Sequence, residues 1–307
     1  MEFLVVFNQK AGQANQNKLN QIIKIIENKG SSVKLLSLTD DGFKSELLGS
    51  LKDLKGLITF GGDGTLNTIV NVILSSTSLS PDELPTIVPY PSGTANDFAY
   101  QLFEQEVSIE EMINSVFQEN IKFLDVGRVN DYYFINVFGI GSFADISYKT
   151  PPELKQRLGM WAYWVEAIKQ LPNFGSINFS LKDTTKIETT QGYLLLVLNG
   201  KGAGGFKSLA PRSSLSDGKL DIVIVKENKT ILDLAPLLPK IIRGEHLEDH
   251  RITYFQKDSI EITSDKEVVS VVDGEKGPTL PIKIDILPKR LPFAYQKQKE
   301  QEIKGLF

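Results

Sequence analysis

The opening third of this chain alternates short apolar runs of strand length with stretches of helical period, and few folds tolerate that rhythm. Phe3-Leu4-Val5-Val6-Phe7 is apolar throughout and gives way to turn residues from Asn8 to Gly12. Leu19, Ile22, Ile23 and Ile26 then recur at helical spacing up to Lys29-Gly30, which reads as a cap. Ser32 to Leu38 reads as a second strand. Leu57-Ile58-Thr59-Phe60 reads as a third and runs straight into Gly61-Gly62. Leu66 to Leu74 has helical character and Pro85 to Tyr90 strand character. Such alternation argues for a parallel sheet covered on both faces, with ligands bound at the carboxyl ends of its strands.

The character changes near Phe123-Leu124-Asp125-Val126-Gly127. Strand formers dominate Tyr132 to Phe138, Ile177 to Leu181, Gly192 to Leu198, Leu220 to Val225, Ser259 to Thr263 and Val268 to Val272. Helical stretches interrupt them at Glu153 to Leu171 and Ile231 to Ile242. The fold expected is therefore α/β + β. A doubly wound α/β domain spans residues 1–126, and a mainly antiparallel β-sandwich spans 127–287. The polar tail, 288–307, has a weak helical pattern and is expected to pack back on the first domain.

The 307 residues suffice for two domains with stable cores. Cysteine is absent, which excludes disulfides, thiolate-held metals and a thiol nucleophile, and suits a reducing cytoplasm. A net charge of −4 argues against a nucleic-acid partner held by a broad basic field. It leaves room for a local membrane-binding patch. The start of the chain has no basic stretch before a long apolar run, so no signal peptide is expected. The two histidines, His246 and His250, lie in a polar stretch read as a solvated loop or helix end rather than a metal site.

Two motifs carry chemistry. Gly61-Gly62-Asp63-Gly64-Thr65-Leu66-Asn67 places three glycines between a strand and a helix, where backbone N–H groups and the helix dipole suit phosphate. It lacks the Gly-Lys-Ser/Thr of a Walker loop and the last glycine of a dinucleotide fingerprint. A tight turn with Asp63 or Thr65 as helix cap is the plainer alternative. Pro91-Ser92-Gly93-Thr94-Ala95-Asn96-Asp97-Phe98 follows the next strand, so it surfaces on the same sheet edge, with Asp97 as an acid or magnesium-linked group. Asp273-Gly274-Glu275 reads from spacing alone as readily as a hairpin turn as a catalytic one.

Together these stretches resemble the diacylglycerol-kinase catalytic family, which also holds sphingosine and ceramide kinases. The Gly-Gly-Asp-Gly-Thr loop alone is shared with NAD kinases; the Pro-x-Gly-Thr-x-Asn-Asp motif favours lipid kinases. The resemblance continues through Asp125-Val126-Gly127, Phe134-Ile135-Asn136, Ala203-Gly204-Gly205, Ala210-Pro211, Leu215 to Asp221 and Val272 to Glu275, in the expected order. It is strongest toward the small soluble bacterial diacylglycerol kinases.

The resemblance implies an ATP- and Mg²⁺-dependent enzyme that phosphorylates the free hydroxyl of diacylglycerol, giving phosphatidic acid. Residues 1–126 would bind ATP and 127–287 the lipid. Asn8, Gln9, Lys10, Ala11 and Gly12 match the first nucleotide loop, with Gln9 replacing the usual proline. Thr39 matches a threonine that helps hold ATP. Gly61, Gly62, Asp63, Gly64, Thr65, Leu66, Asn67, Thr68 and Thr94 would complete that site. Asp63, Asp97 and Asp125 correspond to the acidic network around the catalytic magnesium. Asp217, with carbonyls at Ser214 and Lys219, corresponds to a separate structural magnesium. Asp273 is taken as the catalytic base with Glu275 orienting it or contacting nucleotide, roles open to reversal. A cytoplasmic protein visiting the membrane surface follows. Relatives of this soluble type are often homodimers, which leaves the oligomeric state open.

Met160, Trp161, Tyr163, Trp164 and Ile168, with Lys149, Lys155 and Arg157 before them, read as a helix on the β domain's core or as a membrane-facing one. Lys201 and Lys207 flank Ala203-Gly204-Gly205, either a flexible cleft loop or a solvated turn. Rival functions are a kinase for sphingosine, phosphatidylglycerol or a polyprenol, an NAD kinase, or a non-catalytic nucleotide sensor.

Overall fold

The computed structural model describes residues 1–8, 15–103, 107–141, 175–183, 187–228 and 231–296. Strands β1 (Glu2–Phe7), β2 (Ser32–Ser37), β3 (Leu54–Gly61) and β4 (Thr86–Pro91) lie parallel in the order β2-β1-β3-β4. Phe3 to Val6 are all fully buried, which explains why β1 shows no apolar–polar alternation. Helices α1 (Gln16–Asn28), α2 (Phe43–Ser50), α3 (Asp63–Ser76), α4 (Ala99–Leu102) and α5 (Ile109–Phe117) complete this half. Helix α1 buries Leu19, Ile22 and Ile26, the periodic residues of its sequence. At the start of α5, Ser108 and Glu111 form a capping box.

The second half is antiparallel. It comprises β5 (Ile121–Val129), β6 (Tyr132–Phe134), β7 (Val137–Gly141), β8 (Ile177–Lys182), β9 (Ile187–Leu198), β10 (Leu220–Lys226), β11 (Ile252–Lys257), β12 (Ser259–Ser264), β13 (Val269–Val272), β14 (Glu275–Thr279) and β15 (Ile282–Ala294). β9 pairs with β8 along its first part and with β7 and β10 along the rest. One apolar core, including Phe134, Phe138, Phe179, Ile222 and Ile262, fills the sandwich. Another lies between the β9–β10 face and a helical cover containing α6 (Leu237–Arg243). This is the expected α/β domain followed by an antiparallel β-sandwich.

Three local expectations change. Tyr132 to Phe138 is two strands, because Ile135 and Asn136 leave the ladder to bind elsewhere. The helix expected over Ile231 to Ile242 is broken into a 3₁₀ turn, Ile231–Leu234, and α6, with Pro236 at the junction. Of the tail read as weakly helical, the part up to Ala294 is strand, since β15 continues there, and residues 297–307 lie outside the described residues.

β15 joins the halves. Its first part pairs with β12 and β5, then the register shifts between Leu287 and Leu291, and Phe293 pairs in parallel with Ile87 of β4. The Phe293 ring packs against Phe98 at a tilt of 58°, centroids 4.9 Å apart, and Arg290 donates to the Leu79 carbonyl at 3.0 Å. Residue 126 falls inside β5, which pairs with β15 on both sides of that point. The stretch Glu153 to Leu171, with its aromatic and basic residues, lies outside the described residues.

Candidate functional site

The glycine loop and the Pro91–Phe98 loop leave the carboxyl ends of neighbouring strands and touch backbone to backbone. A Cβ on Gly93 would overlap the Gly62 Cα, so neither loop tolerates a side chain at the contact. Asn96 adopts a left-handed φ of 56° and fastens the second loop, accepting from the Gly93 N–H at 2.9 Å and donating to its carbonyl at 2.8 Å. Asp63, the first residue of α3, does not cap its own helix. Its carboxylate accepts the N–H groups of Asp97 and Phe98, each at 3.0 Å. One side chain thereby locks both motifs together at the positive end of α3.

Around this point stand the other expected nucleotide contacts. Leu38 N–H bonds to the Phe7 carbonyl at 3.0 Å, bringing the exits of β1 and β2 together, so Asn8 and Thr39 share the sheet edge of the glycine loop. Thr39 is exposed and its hydroxyl meets Ser37 Oγ at 2.9 Å. Thr65 is buried, while Gly64, Thr68 and Thr94 are exposed. Thr68 Oγ1 donates back to the Gly64 carbonyl at 2.9 Å. Gln9, Lys10, Ala11 and Gly12 lie outside the described residues.

The three aspartates expected around one magnesium divide into two places. Asp97 stays beside Asp63 and accepts the Gly205 N–H at 2.9 Å; burial, with the Asp63 charge adding to it, raises its pKa to about 6. Asp125 instead turns to the crossover region, accepting from Gly218 N–H and Lys289 N–H, both at 2.7 Å. Burial raises its pKa and the nearby Asp217 charge pushes the same way. Asp217 Oδ1 in turn accepts the Lys219 N–H at 3.0 Å, and Ser214 Oγ accepts from Ser216 N–H at 3.4 Å.

Among the described residues no three His, Asp or Glu side chains form a metal cage. Magnesium rarely needs one, since it keeps waters and binds substrate phosphates through one or two carboxylates. Burial and the neighbouring Asp63 charge disfavour ionisation of Asp97, which a dication arriving with a triphosphate would relieve. At the Asp217 turn a carboxylate joined by the expected carbonyls of Ser214 and Lys219 would be an all-oxygen set, which is the kind Mg²⁺ takes.

In the second half, β13 and β14 are joined at Asp273-Gly274, both with left-handed φ (46° and 91°), a two-residue hairpin turn. The Asp273 carboxylate accepts four N–H groups: Asn136 at 3.0 Å and Val137 at 2.8 Å on Oδ1, Ile135 and the Asn67 amide at 2.7 Å on Oδ2. All its acceptor sites are thus filled. Burial raises its pKa to about 6 against the pull of those bonds. Glu275 follows on β14, exposed, its carboxylate without a hydrogen-bond partner among the described residues.

Asparagines stitch the halves together. Asn67, one turn along α3 from Asp63, donates to both Asp273 and the Tyr133 carbonyl. Asn71 donates to the Tyr133 carbonyl and accepts its N–H. Asn136 gives its N–H to Asp273 and its amide to Asp63 at 3.4 Å. Asn199, fully buried, donates to the carbonyls of Asp125 and Ile135. Of these only Asn67 was expected at the site. Its partner Asn71, four residues on along the same helix face, was the readable signal for the rest.

The second half also holds a small, partly open apolar pocket with an interior of about 40 Å³. Leu194 of β9, Val223 of β10, Leu209 and the α6 residues Leu237, Leu238 and Ile241 line it. His246 lines it too and, contrary to the solvated reading, is buried: Nε2 lies 2.9 Å from the Leu209 carbonyl, and burial lowers its pKa. Lys201 and Lys207 flank a tight turn in which Ala203 and Phe206 exchange both backbone bonds. Gly205 of that turn meets Asp97 while Phe206 joins the cavity's cluster, so the turn links the two sites.

The model of the diacylglycerol kinase catalytic domain matches residues 2–129, and that of the YegS C-terminal NAD kinase beta sandwich-like domain matches 144–294. A diacylglycerol kinase of Bacillus subtilis is 29% identical over 97% of this chain and 98% of its own. One from Staphylococcus saprophyticus is 33% identical over 73% of this chain and 72% of its own. The chain belongs to the diacylglycerol kinase family. A crystal structure of a provisionally assigned diacylglycerol kinase from Bacillus anthracis agrees in fold, with a TM-score of 0.79 at 26% identity over 96% of this chain and 95% of that one. As a member of this lipid-kinase family the protein is a phosphotransferase with an alcohol acceptor and ATP as donor.

Proposed function

We propose that the protein transfers the γ-phosphoryl group of ATP to the free hydroxyl of diacylglycerol, giving phosphatidic acid and ADP. The observation that supports this reading is the junction at Asn67 and Asn136, whose hydrogen bonds tie Asp63 on the glycine loop to Asp273 on the β13–β14 hairpin. The strand-end loops would hold the triphosphate by backbone N–H groups. Bound Mg²⁺ would neutralise phosphate charge beside Asp63 and Asp97.

For the base, the geometry favours Glu275 over Asp273, reversing the first assignment. A carboxylate whose acceptor positions are all occupied has no lone pair to offer a substrate hydroxyl. In this scheme Asp273 holds the hairpin in its left-handed turn and Glu275 takes the acceptor's proton. The hydroxyl oxygen bonds to the γ-phosphorus as the bond to the β–γ bridging oxygen breaks.

Purified protein incubated with Mg²⁺ and radiolabelled ATP tests the acceptor. Label on diacylglycerol, exceeding that on sphingosine, phosphatidylglycerol or a polyprenol, is the expected result. Strongest labelling of another lipid would change the acceptor, and conversion of NAD to NADP would overturn the lipid reading.

A further inference from the structure

We propose that the diglycine turn Gly204-Gly205 is the second half's phosphate cradle, whose two N–H groups hold the γ-phosphate of bound ATP. This rests on the kinase reading above and adds a binding element to that site. In the structure the turn already grips an anion. The Gly205 N–H lies 2.9 Å from Asp97 Oδ2 and 3.1 Å from Oδ1, and the Gly204 N–H acts on the same carboxylate. Asp97 belongs to the second nucleotide loop, and its own N–H is held by Asp63 of the first. One carboxylate therefore separates the turn from both loops.

Local conformation explains the grip. Gly204 and Gly205 both take left-handed φ, 62° and 83°, which two consecutive residues with side chains would resist. Successive N–H groups in such a turn converge on one side and form an anion-binding concavity. The turn is firmly anchored. Ala203 and Phe206 exchange both backbone bonds, Gln101 Oε1 accepts the Lys201 N–H at 2.8 Å, and Phe206 is buried in the apolar cluster beneath. Donors fixed in advance hold a phosphate without reorganising. Gly204 is exposed and a Cβ there would meet no atom within 4 Å, so glycine is needed at this point for the backbone angle and not for room.

Charge points the same way. From Asn199 to Ser216 the chain carries Lys201, Lys207 and Arg212 and no acid. Arg212 is paired with Glu248, whereas Lys201 and Lys207 are exposed and form no ion pair among the described residues. The acids facing the turn are Asp97 and, behind it, Asp63. Asp97 can give up these N–H groups once the dication that accompanies ATP balances its charge. The N–H groups then meet a phosphate oxygen in charge-assisted hydrogen bonds. Carboxylate and phosphate share the feature the turn selects, an anionic oxygen. The terminal phosphate of ATP is favoured as its source because the carboxylate now in the cradle sits beside the glycine loop at the positive end of α3.

Calorimetric titration of the full chain with Mg²⁺ and either a non-hydrolysable ATP analogue or ADP tests the cradle. Wild-type protein should prefer the analogue. Gly204→Ala works against the left-handed backbone angle and should cut that preference about tenfold, leaving ADP affinity within about twofold. Lys201→Gln combined with Lys207→Gln leaves the glycines in place and should cut it about threefold, so a folding failure in the first variant leaves the second readable. Equal affinity of wild-type protein for analogue and ADP, or the wild-type preference in both variants, would overturn the proposal. A short-chain phosphatidic acid titrated without nucleotide is the other phosphate source. Should the variants weaken its binding and not the analogue's, the γ-phosphate assignment is overturned. If the preference for the analogue depends on Gly204 yet wild-type protein phosphorylates no lipid, the lipid-kinase reading fails and the cradle stands.

Discussion

At the scale of single residues, the proposed mechanism gives two neighbouring carboxylates opposite duties, and substitution separates them. Asp273→Asn replaces an acceptor of four N–H groups with an amide that turns a donor toward two of them, leaving buried groups unpaired. It should destabilise the fold by about 2–4 kcal/mol in chemical denaturation and abolish transfer as a consequence. Glu275→Gln should leave the denaturation midpoint unchanged. Asn67→Ala removes the amide that joins α3 to the hairpin; about 1–2 kcal/mol of stability should go, with kcat falling more than the KM for ATP changes. Asp97 gives a pH signature. Its folded pKa of about 6 is raised, so the group is ionised above that value and protonated below it. Affinity for Mg²⁺-ATP should therefore fall as pH drops through about 6, and added Mg²⁺ should move the transition to lower pH by favouring the ionised form. KM for ATP measured at fixed Mg²⁺ across that range checks this.

Individual elements were legible where their chemistry is local. The strand-to-helix step at Phe60 to Thr65 shows in the sequence because glycines must stand where two backbones touch, and Gly93→Ala should confirm the contact by lowering the melting temperature and raising the KM for ATP. Pairings between distant segments were not legible. Nothing local tells that Asp125 turns toward Gly218 and Lys289 rather than toward Asp63, because its partners lie 93 and 164 residues away. Asp273 illustrates the same limit: Asp-Gly marks a turn, but the N–H groups that saturate the carboxylate come from Ile135 to Val137, where a broken strand looked continuous. In β15 the alternating Ile282, Ile284 and Ile286 are strand-like, and Pro288 to Arg290 hides the continuation to Ala294.

For the molecule as a whole, the proposed mechanism draws on both halves, and β15 is the element that joins them. β15 returns from the sandwich to the parallel sheet, and Phe293 is fully buried against Phe98 beside the second nucleotide loop. Phe293→Ala should remove about 3–5 kcal/mol of stability. The loss should be read as one unfolding transition for both halves if the crossover couples them. The measurement that bears most directly on a shared cleft is the rate of phosphate transfer from saturating Mg²⁺-ATP to diacylglycerol by Glu275→Gln. A carboxylate acting as base from the far half requires kcat to fall by about 10²–10⁴ while ATP affinity stays within about twofold. An unchanged kcat would mean that the hairpin takes no part in the chemistry.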